Sequence, residues 1–327
     1  MGVLEKLTKN KIFSEGKVSF CPMSEEQVSL RDEFNKLVLE KKIDFESVDC
    51  LCGGSDFSLI ASVDRYGLLQ DTVMCKSCGL VQSMPRMTSA AYKNFYETDY
   101  YRKLYEAGFS GADVDNFFAQ SNGDSKTRFE FIKKNLDYPN VKNVLEIGCG
   151  GGWNLYPFFR DKKNIEGLDF SHSLVALGQK MGMNIKSGSI ADVEGGSFDL
   201  VILSHVLEHF LDPVKALREL VSRVGGKAMF YIEVPNIEYF GMAQLQNAHT
   251  YYFSPRTLVY YARKAGLGTT RAFQTNITGS HMGGIFSASE GTDGESLSRE
   301  YAGMKRIIRL CDRKQGIKDF LRSVGVK

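Results

Sequence analysis

No stretch of this 327-residue chain approaches the roughly 20 consecutive apolar residues a membrane helix needs, so no membrane span is expected. The N-terminus, MGVLEKLTKN, lacks the apolar core of a secretion signal, and Lys6 stands where myristoylation after Gly2 requires Ser or Thr. These absences predict a cytoplasmic protein. Neither charge is in large excess. The 41 basic and 39 acidic residues are interspersed and leave +2, which gives no electrostatic footprint for nucleic acid or an anionic membrane. No internal repeat is visible. The cysteines are not even in number either: seven, in a chain without a secretion signal, argue for thiols and metal ligands over a disulfide framework.

What is present is enough chain for a full-sized core plus something smaller, because single cores stop growing near about 250–300 residues. Residues 1–47 read as an N-terminal helical segment, with Val28, Phe34, Leu37 and Leu39 at roughly helical spacing. Residues 48–88 hold two cysteine turns among short strand-like runs and read as a small separate lobe. Residues 89–140 are crowded with aromatics (AYKNFYETDYYRKLYEAGF, DNFFAQ, RFEFIKKNL) and read as a helical linker. From 141 to 290 strand-like and helix-like segments alternate, from NVLEIG through FDLVILS to KAMFYIEVP, which predicts an α/β domain with a parallel sheet covered by helices on both faces. Its last two strand-like runs, TTRAFQT and MGGIFSASE, are close enough to pair as an antiparallel hairpin. Residues 291–327 read as a helical tail.

Cys50, Cys52, Cys75 and Cys78 form C-x-C and C-x-x-C pairs, 22 residues apart. Thiolates on two such turns can close a tetrahedral zinc site, and Gly53 and Gly79 directly after each pair relieve the tight turns. Four sulfurs leave no position for water, so such a zinc is structural. The alternative is reduced free cysteines. The C-x-C pair is one residue short of the usual knuckle, which makes Cys50 the least secure ligand.

The strand over 143–147 runs into GCGGGW, placing unpaired backbone N–H groups and a helix N-terminus beside a ligand. A dinucleotide fold wants G-x-G-x-x-G; here the third glycine is missing and Trp153 occupies its place. Glu146 at the strand end would repel a pyrophosphate but suits a ligand bearing an ammonium group. Asp169, 21 residues beyond Gly148, ends the second strand, where an acid can accept both hydroxyl hydrogens of a ribose.

Taken together and in order, VLEIGCGGG, GLDFS and FDLVILSHVLEHFLDP resemble the class I S-adenosylmethionine-dependent methyltransferases over about residues 141–290. The resemblance implies a Rossmann-like sheet of parallel strands closed by a C-terminal antiparallel hairpin, preceded here by the small zinc-binding lobe. It implies cofactor contacts from Glu146, Gly148, Gly150 and Gly152, from Asp169, and from Ser189 and Ile190 after the third strand, although the last two also read as plain loop and core. The end of the fourth strand borders the sulfonium in that family, which adds Ser204 and His205 as cofactor-side candidates and His209 as an acceptor-side one.

A four-cysteine lobe, an aromatic segment and this core also resemble a narrower group, the zinc-bearing methyltransferases of nucleotide-activated sugars or surface polysaccharides. That likeness implies a small-molecule or glycan substrate and puts Tyr100 and Tyr101 toward the acceptor, against the alternative that they merely pack. The sugar C-methyltransferases of that group carry His-Glu-His before an aromatic run. This chain has Asn247, Ala248 and His249 there, so the acid is missing. A lone His suits removal of a hydroxyl proton better than of a C–H proton, which favours O-methylation over C- or N-methylation and makes His249 the candidate base, unless it is only hydrogen-bonded under its loop. An RNA-modifying enzyme is the competing class. Against it, residues 48–88 carry only Arg65, Lys76 and Arg86 as bases. Of the remaining histidines, His172 reads as surface and His281 has no distinctive context. Finally, His205, Glu208 and His209 spell the H-x-x-E-H of inverted zinc proteases. The apolar strand FDLVILS abuts His205 directly, so the two histidines need not share a helical face, and no peptidase is inferred.

Overall fold

The computed structural model describes residues 4–15, 19–98, 100–105, 123–288 and 296–323. The chain divides into two units, one comprising Met1–Gly108, Ile237–Thr257 and Ser296–Lys327, the other Phe109–Asn236 and Leu258–Glu295. Among the described residues no helix is long and apolar enough to cross a membrane.

The first unit opens with β1 (Glu5–Lys6), α1 (Glu25–Leu39), β2 (Phe45–Glu46), β3 (Phe57–Val63), β4 (Leu69–Cys75), β5 (Val81–Ser83), β6 (Arg86–Met87), α2 (Ser89–Glu97) and α3 (Tyr100–Tyr105). Helix α1 forms where the spacing predicts one, but of the expected apolar stripe only Phe34 is buried; Gln27 and Arg31 share that face, Val28 and Leu37 are half-buried and Leu39 is exposed. A reciprocal cap starts it, Gln27 N donating to Ser24 Oγ at 3.2 Å and Ser24 N to Gln27 Oε1 at 2.8 Å. Of the helices expected across the aromatic segment, α2, α3 and α4 (Asp124–Asn135) form, whereas DNFFAQ lies outside the described residues.

The second unit continues with β7 (Asn143–Ile147), α5 (Tyr156–Arg160), β8 (Asn164–Asp169), α6 (His172–Lys180), β9 (Ile185–Ser187), β10 (Leu200–Ser204), α7 (Pro213–Val224) and β11 (Met229–Pro235). After a return to the first unit with β12 (Tyr251–Tyr252) come α8 (Pro255–Lys264) and the second unit's β13 (Leu267–Thr278) and β14 (His281–Ala288), and α9 (Glu300–Ser323) belongs again to the first.

The second unit's sheet has the order β13-β14-β11-β10-β7-β8-β9. Its strands from β11 to β9 are parallel, and β14 and β13 close it antiparallel, the α/β architecture expected from the alternation of segments. All five residues of β10 are buried, as a strand covered on both faces requires. The surrounding core joins Val144, Phe158, Ile165, Leu200, Ile202, Tyr231 and Ile285. Parallel register brings the carboxyl ends of β7 to β11 to one rim, and there the chain leaves the sheet in glycine and capped turns. One is Asp212–Pro213, where Asp212 Oδ1 accepts from Lys215 N at 2.9 Å to start α7.

In the first unit the sheet runs β1-β3-β4-β5-β12, and β2 pairs with β6. Its core gathers Phe13, Ile60, Met74, Val81, Phe240 and Tyr252 with Met304 and Ile308 of α9. The tail helix is therefore part of this core. Glu5 accepts from Lys305 Nζ at 2.8 Å and pairs with Arg309 at 3.1 Å, Asp312 accepts from the backbone of Lys9 and Asn10, and the backbone of Tyr301 lies so close to Gly79 that a Cβ there would sit 2.7 Å from its nitrogen.

Candidate functional site

The carboxyl rim of the second unit's sheet is where open α/β sheets bind ligands. From β7 the chain enters a turn in which Gly148, Gly150 and Gly152 have φ of 67°, 55° and 86°. At Gly148 the requirement is twofold: positive φ, and a missing Cβ that would lie 2.4 Å from Val206 Cγ2. On the neighbouring strand, Asp169 Oδ2 accepts from Gly150 N at 2.8 Å and Oδ1 from Ser171 N at 2.7 Å, so the acid at the end of β8 pins the glycine turn. Each of its oxygens keeps a further lone pair for a ligand hydroxyl.

Glu146 is fully buried in β7. Its Oε1 accepts from Asn154 Nδ2 at 2.7 Å, but Oε2 is buried with no hydrogen-bond partner among the described residues. Burial pushes its pKa up to about 8, helped by nearby Asp169 and opposed by Asn154 and Arg128. Buried polar atoms are normally satisfied, so a carboxylate oxygen left open fits a ligand ammonium.

Ser189 caps a short 3-10 turn, its backbone and hydroxyl both donating to Asp192, and Ile190 is buried in that turn. Ser204 closes β10. Residues 207–209 then form a 3-10 turn, not an α-helix, so the H-x-x-E-H stretch does not present two histidines on one helical face.

His205 follows β10 with a φ of 56°, its N–H donating to Glu233 O at 2.9 Å. Around it lies a group that the sequence reading did not assemble. The buried Glu233, near the end of β11, accepts from Arg128 Nε at 2.7 Å and Nη2 at 3.2 Å, from the Tyr231 hydroxyl at 2.5 Å and from the Thr278 hydroxyl at 2.7 Å. His205 and His281 approach it at 3.6 and 3.8 Å, their rings edge-to-face with centroids 4.3 Å apart. Burial alone would raise the pKa of Glu233, but His205 and Arg128 outweigh it and hold the carboxyl below its usual range.

In the first unit, antiparallel register sets Phe57 of β3 beside Cys75 of β4, which brings the Cys50–Cys52 turn to the turn leaving β4. The four Sγ atoms all lie within 4.8 Å of one another, with Cys50–Cys78 at 3.5 Å and Cys52–Cys75 at 3.6 Å. Thiolates around a tetrahedral zinc with bonds of about 2.3 Å stand about 3.8 Å apart, so the four sulfurs fit one ion.

His249 and Tyr101 also belong to the first unit, and His209 to the second. His249 is buried and edge-on to Tyr252 at 5.5 Å, with its carbonyl accepting from Ser83 Oγ at 2.8 Å. Tyr101 packs among Phe95, Tyr96 and Tyr105 at 5.0–6.3 Å between centroids. The same unit holds buried amides. Gln82 on β5 is 1% exposed and, among the described residues, neither its Oε1 nor its Nε2 has a hydrogen-bond partner; Asn247 Oδ1 likewise has none there.

Residues 107–271 match the family described as "Methyltransferase domain". The chain is 27% identical over 197 residues to a ubiquinone biosynthesis O-methyltransferase of Xanthomonas axonopodis pv. citri, spanning 49% of this chain and 82% of that protein. It is 31% identical over 149 residues to one of Ralstonia nicotianae, spanning 38% and 63%. Among solved structures, an O-methyltransferase from neocarzinostatin biosynthesis, in complex with S-adenosylmethionine and 2-hydroxy-5-methyl naphthoic acid, aligns at a TM-score of 0.45 and 17% identity over 59% of this chain and 61% of that one.

Proposed function

The chain belongs to the class I S-adenosylmethionine-dependent methyltransferases, and on that premise we propose that it O-methylates a small polar acceptor, a nucleotide-activated sugar or a surface polysaccharide, with a structural zinc in its cysteine lobe. The observation that carries the acceptor class is Gln82. A fully buried amide with both its donor and its acceptor open among the described residues is costly unless a ligand completes it, and a hydroxyl-rich molecule offers both partners where a purely apolar one offers neither. Transfer to oxygen is supported by the missing acid before His249 and by the O-methyltransferase names of the relatives.

In this reading Glu146 receives the cofactor's ammonium, the turn at Gly148, Gly150 and Gly152 holds its methionine part and Asp169 takes the ribose hydroxyls. Ser189, Ile190, Ser204 and His205 complete the cofactor side. His249, Tyr101 and His209 are the acceptor-side candidates. When bound, the cofactor supplies an electrophilic methyl carbon; the chain's contribution is chiefly positioning. Cys50, Cys52, Cys75 and Cys78 fill all four zinc positions, which leaves that metal no open site for chemistry.

The test is incubation with methyl-labelled cofactor and a panel of nucleotide sugars, glycans and RNA, followed by mass analysis. Label in RNA alone, or on a carbon atom, would overturn the reading. Two variants sharpen it. Glu146→Gln should weaken cofactor binding roughly 10- to 100-fold, the worth of a hydrogen bond to a charged group. Because Glu146 is largely protonated below about pH 8, cofactor binding at pH 7 should release a proton from the wild type and none from the variant, measured by calorimetry in buffers of differing ionisation enthalpy. Gln82→Leu should raise the melting temperature by removing an unsatisfied amide, while lowering kcat/KM roughly tenfold; a variant that loses stability and keeps full activity refutes the acceptor role.

A further inference from the structure

Glu233, His205 and His281 group three potential metal ligands within reach of one ion. The hydrogen bonds argue for another use. Four donors already occupy the Glu233 carboxylate, two of them from the Arg128 guanidinium, so a cation would have to displace a cation. The Thr278 hydroxyl spends its hydrogen on Glu233 Oε1 at 2.7 Å. Its oxygen can therefore only accept from His281 Nδ1, 2.8 Å away. That chain assigns the tautomer: Nδ1 carries the proton and Nε2 keeps its lone pair. The His281 side chain is 30% exposed, at the rim where β10 and β11 end.

We propose that His281 Nε2 is the general base that takes the proton of the acceptor hydroxyl, oriented by the Thr278–Glu233 relay. The proposal rests on the O-methylation reading. The acceptor oxygen forms a bond to the methyl carbon with its own electron pair. The carbon–sulfur bond breaks with its electrons passing to sulfur, which becomes a neutral thioether, and the hydroxyl proton ends on His281 Nε2.

The surroundings separate the two imidazoles. At His281, burial first and then the charge of His205 lower the pKa to about 4; Arg128 acts in the same sense, and Glu233 and Asp124 oppose it. At His205, burial works against the proton but is outweighed by Glu208 at 3.4 Å and Glu233 at 3.6 Å, which raise the pKa to about 9. Neighbouring groups driven apart in this way mark an acid–base pair. A weak base is sufficient here because an attacking hydroxyl oxygen becomes oxonium-like, and far more acidic, as the new bond forms.

The test uses the full chain labelled with 15N-histidine, with long-range proton–nitrogen correlations followed against pH. The resonances lost in His281→Gln should show the Nδ1–H tautomer and titrate near pH 4, and in His205→Gln that midpoint should move up toward 6.5. An Nε2–H tautomer, a wild-type midpoint at 6.5 or above, or a midpoint unmoved by His205→Gln would overturn the proposal. With whichever panel acceptor gains label, His281→Gln should lower kcat about 10²- to 10⁴-fold at unchanged cofactor affinity. Loss of turnover in His249→Ala with full turnover in His281→Gln would transfer the role to His249. A protein that labels nothing in the panel, yet shows the tautomer and the low midpoint, fails the acceptor reading and keeps the His281 assignment.

Discussion

Arg128→Met should destabilise the second unit by about 3–5 kcal/mol, the usual effect of removing one partner of a buried ion pair. Glu233 is fully buried and the Arg128 side chain is only 10% exposed, so the carboxylate left behind has little access to water. Replacing both partners with apolar residues should recover much of the loss, because two desolvated charges are then removed together. The effect depends on pH with a definite sign. Glu233 titrates below its ordinary 4.5 in the folded chain, so the stability it contributes is present above that value and is lost as the solution is acidified through the folded value. The gap between wild type and variant should therefore narrow below about pH 4.5. The measurement is straightforward because the chain's one tryptophan, Trp153, lies in the glycine turn of the second unit. Its fluorescence in urea reports that unit's unfolding; equal midpoints for wild type and Arg128→Met at pH 7 would refute the prediction.

Removal of the proposed zinc from the cysteine lobe should act as strongly on the first unit. Structural zinc contributes apparent free energies of about 10–16 kcal/mol in isolated fingers, comparable with the whole stability of a domain. Strong chelation, or Cys75→Ser, should therefore lower the melting temperature by more than about 10 °C and open β3, β4 and β5 to hydrogen exchange. The first unit's own apolar core, from Phe13 to Ile308, should keep some structure afterwards. Elemental analysis should find one zinc per chain. Four thiols that react freely in the native protein, with no metal released, would refute the site.

The parallel sheet was legible because strands covered on both faces are written as unbroken apolar runs such as LVILS, and the cysteine turns because ligand spacing is local. Less legible was anything that depends on pairing at a distance. The two residues of β12 join the first unit through β5, some 170 positions earlier, and no local periodicity announces that. The relay at His281 was missed for the same reason: its parts come from α4, β11 and both arms of a hairpin, and Thr278 faces His281 only once that hairpin closes. One sign was readable all the same. In FYIEVP a carboxylate interrupts a strand that is otherwise core, and a buried charge requires a partner.

The seat of the tail helix against Gly79 has a consequence for the order in which the chain is made. About 220 residues separate the second cysteine turn from Tyr301, so at about 5–20 residues per second a ribosome needs roughly 10–45 s to deliver the helix that covers that turn. For that interval the growing chain carries four thiols whose neighbouring core lacks Met304 and Ile308. Early capture of the metal would protect the half-built unit from oxidation and mispairing during synthesis.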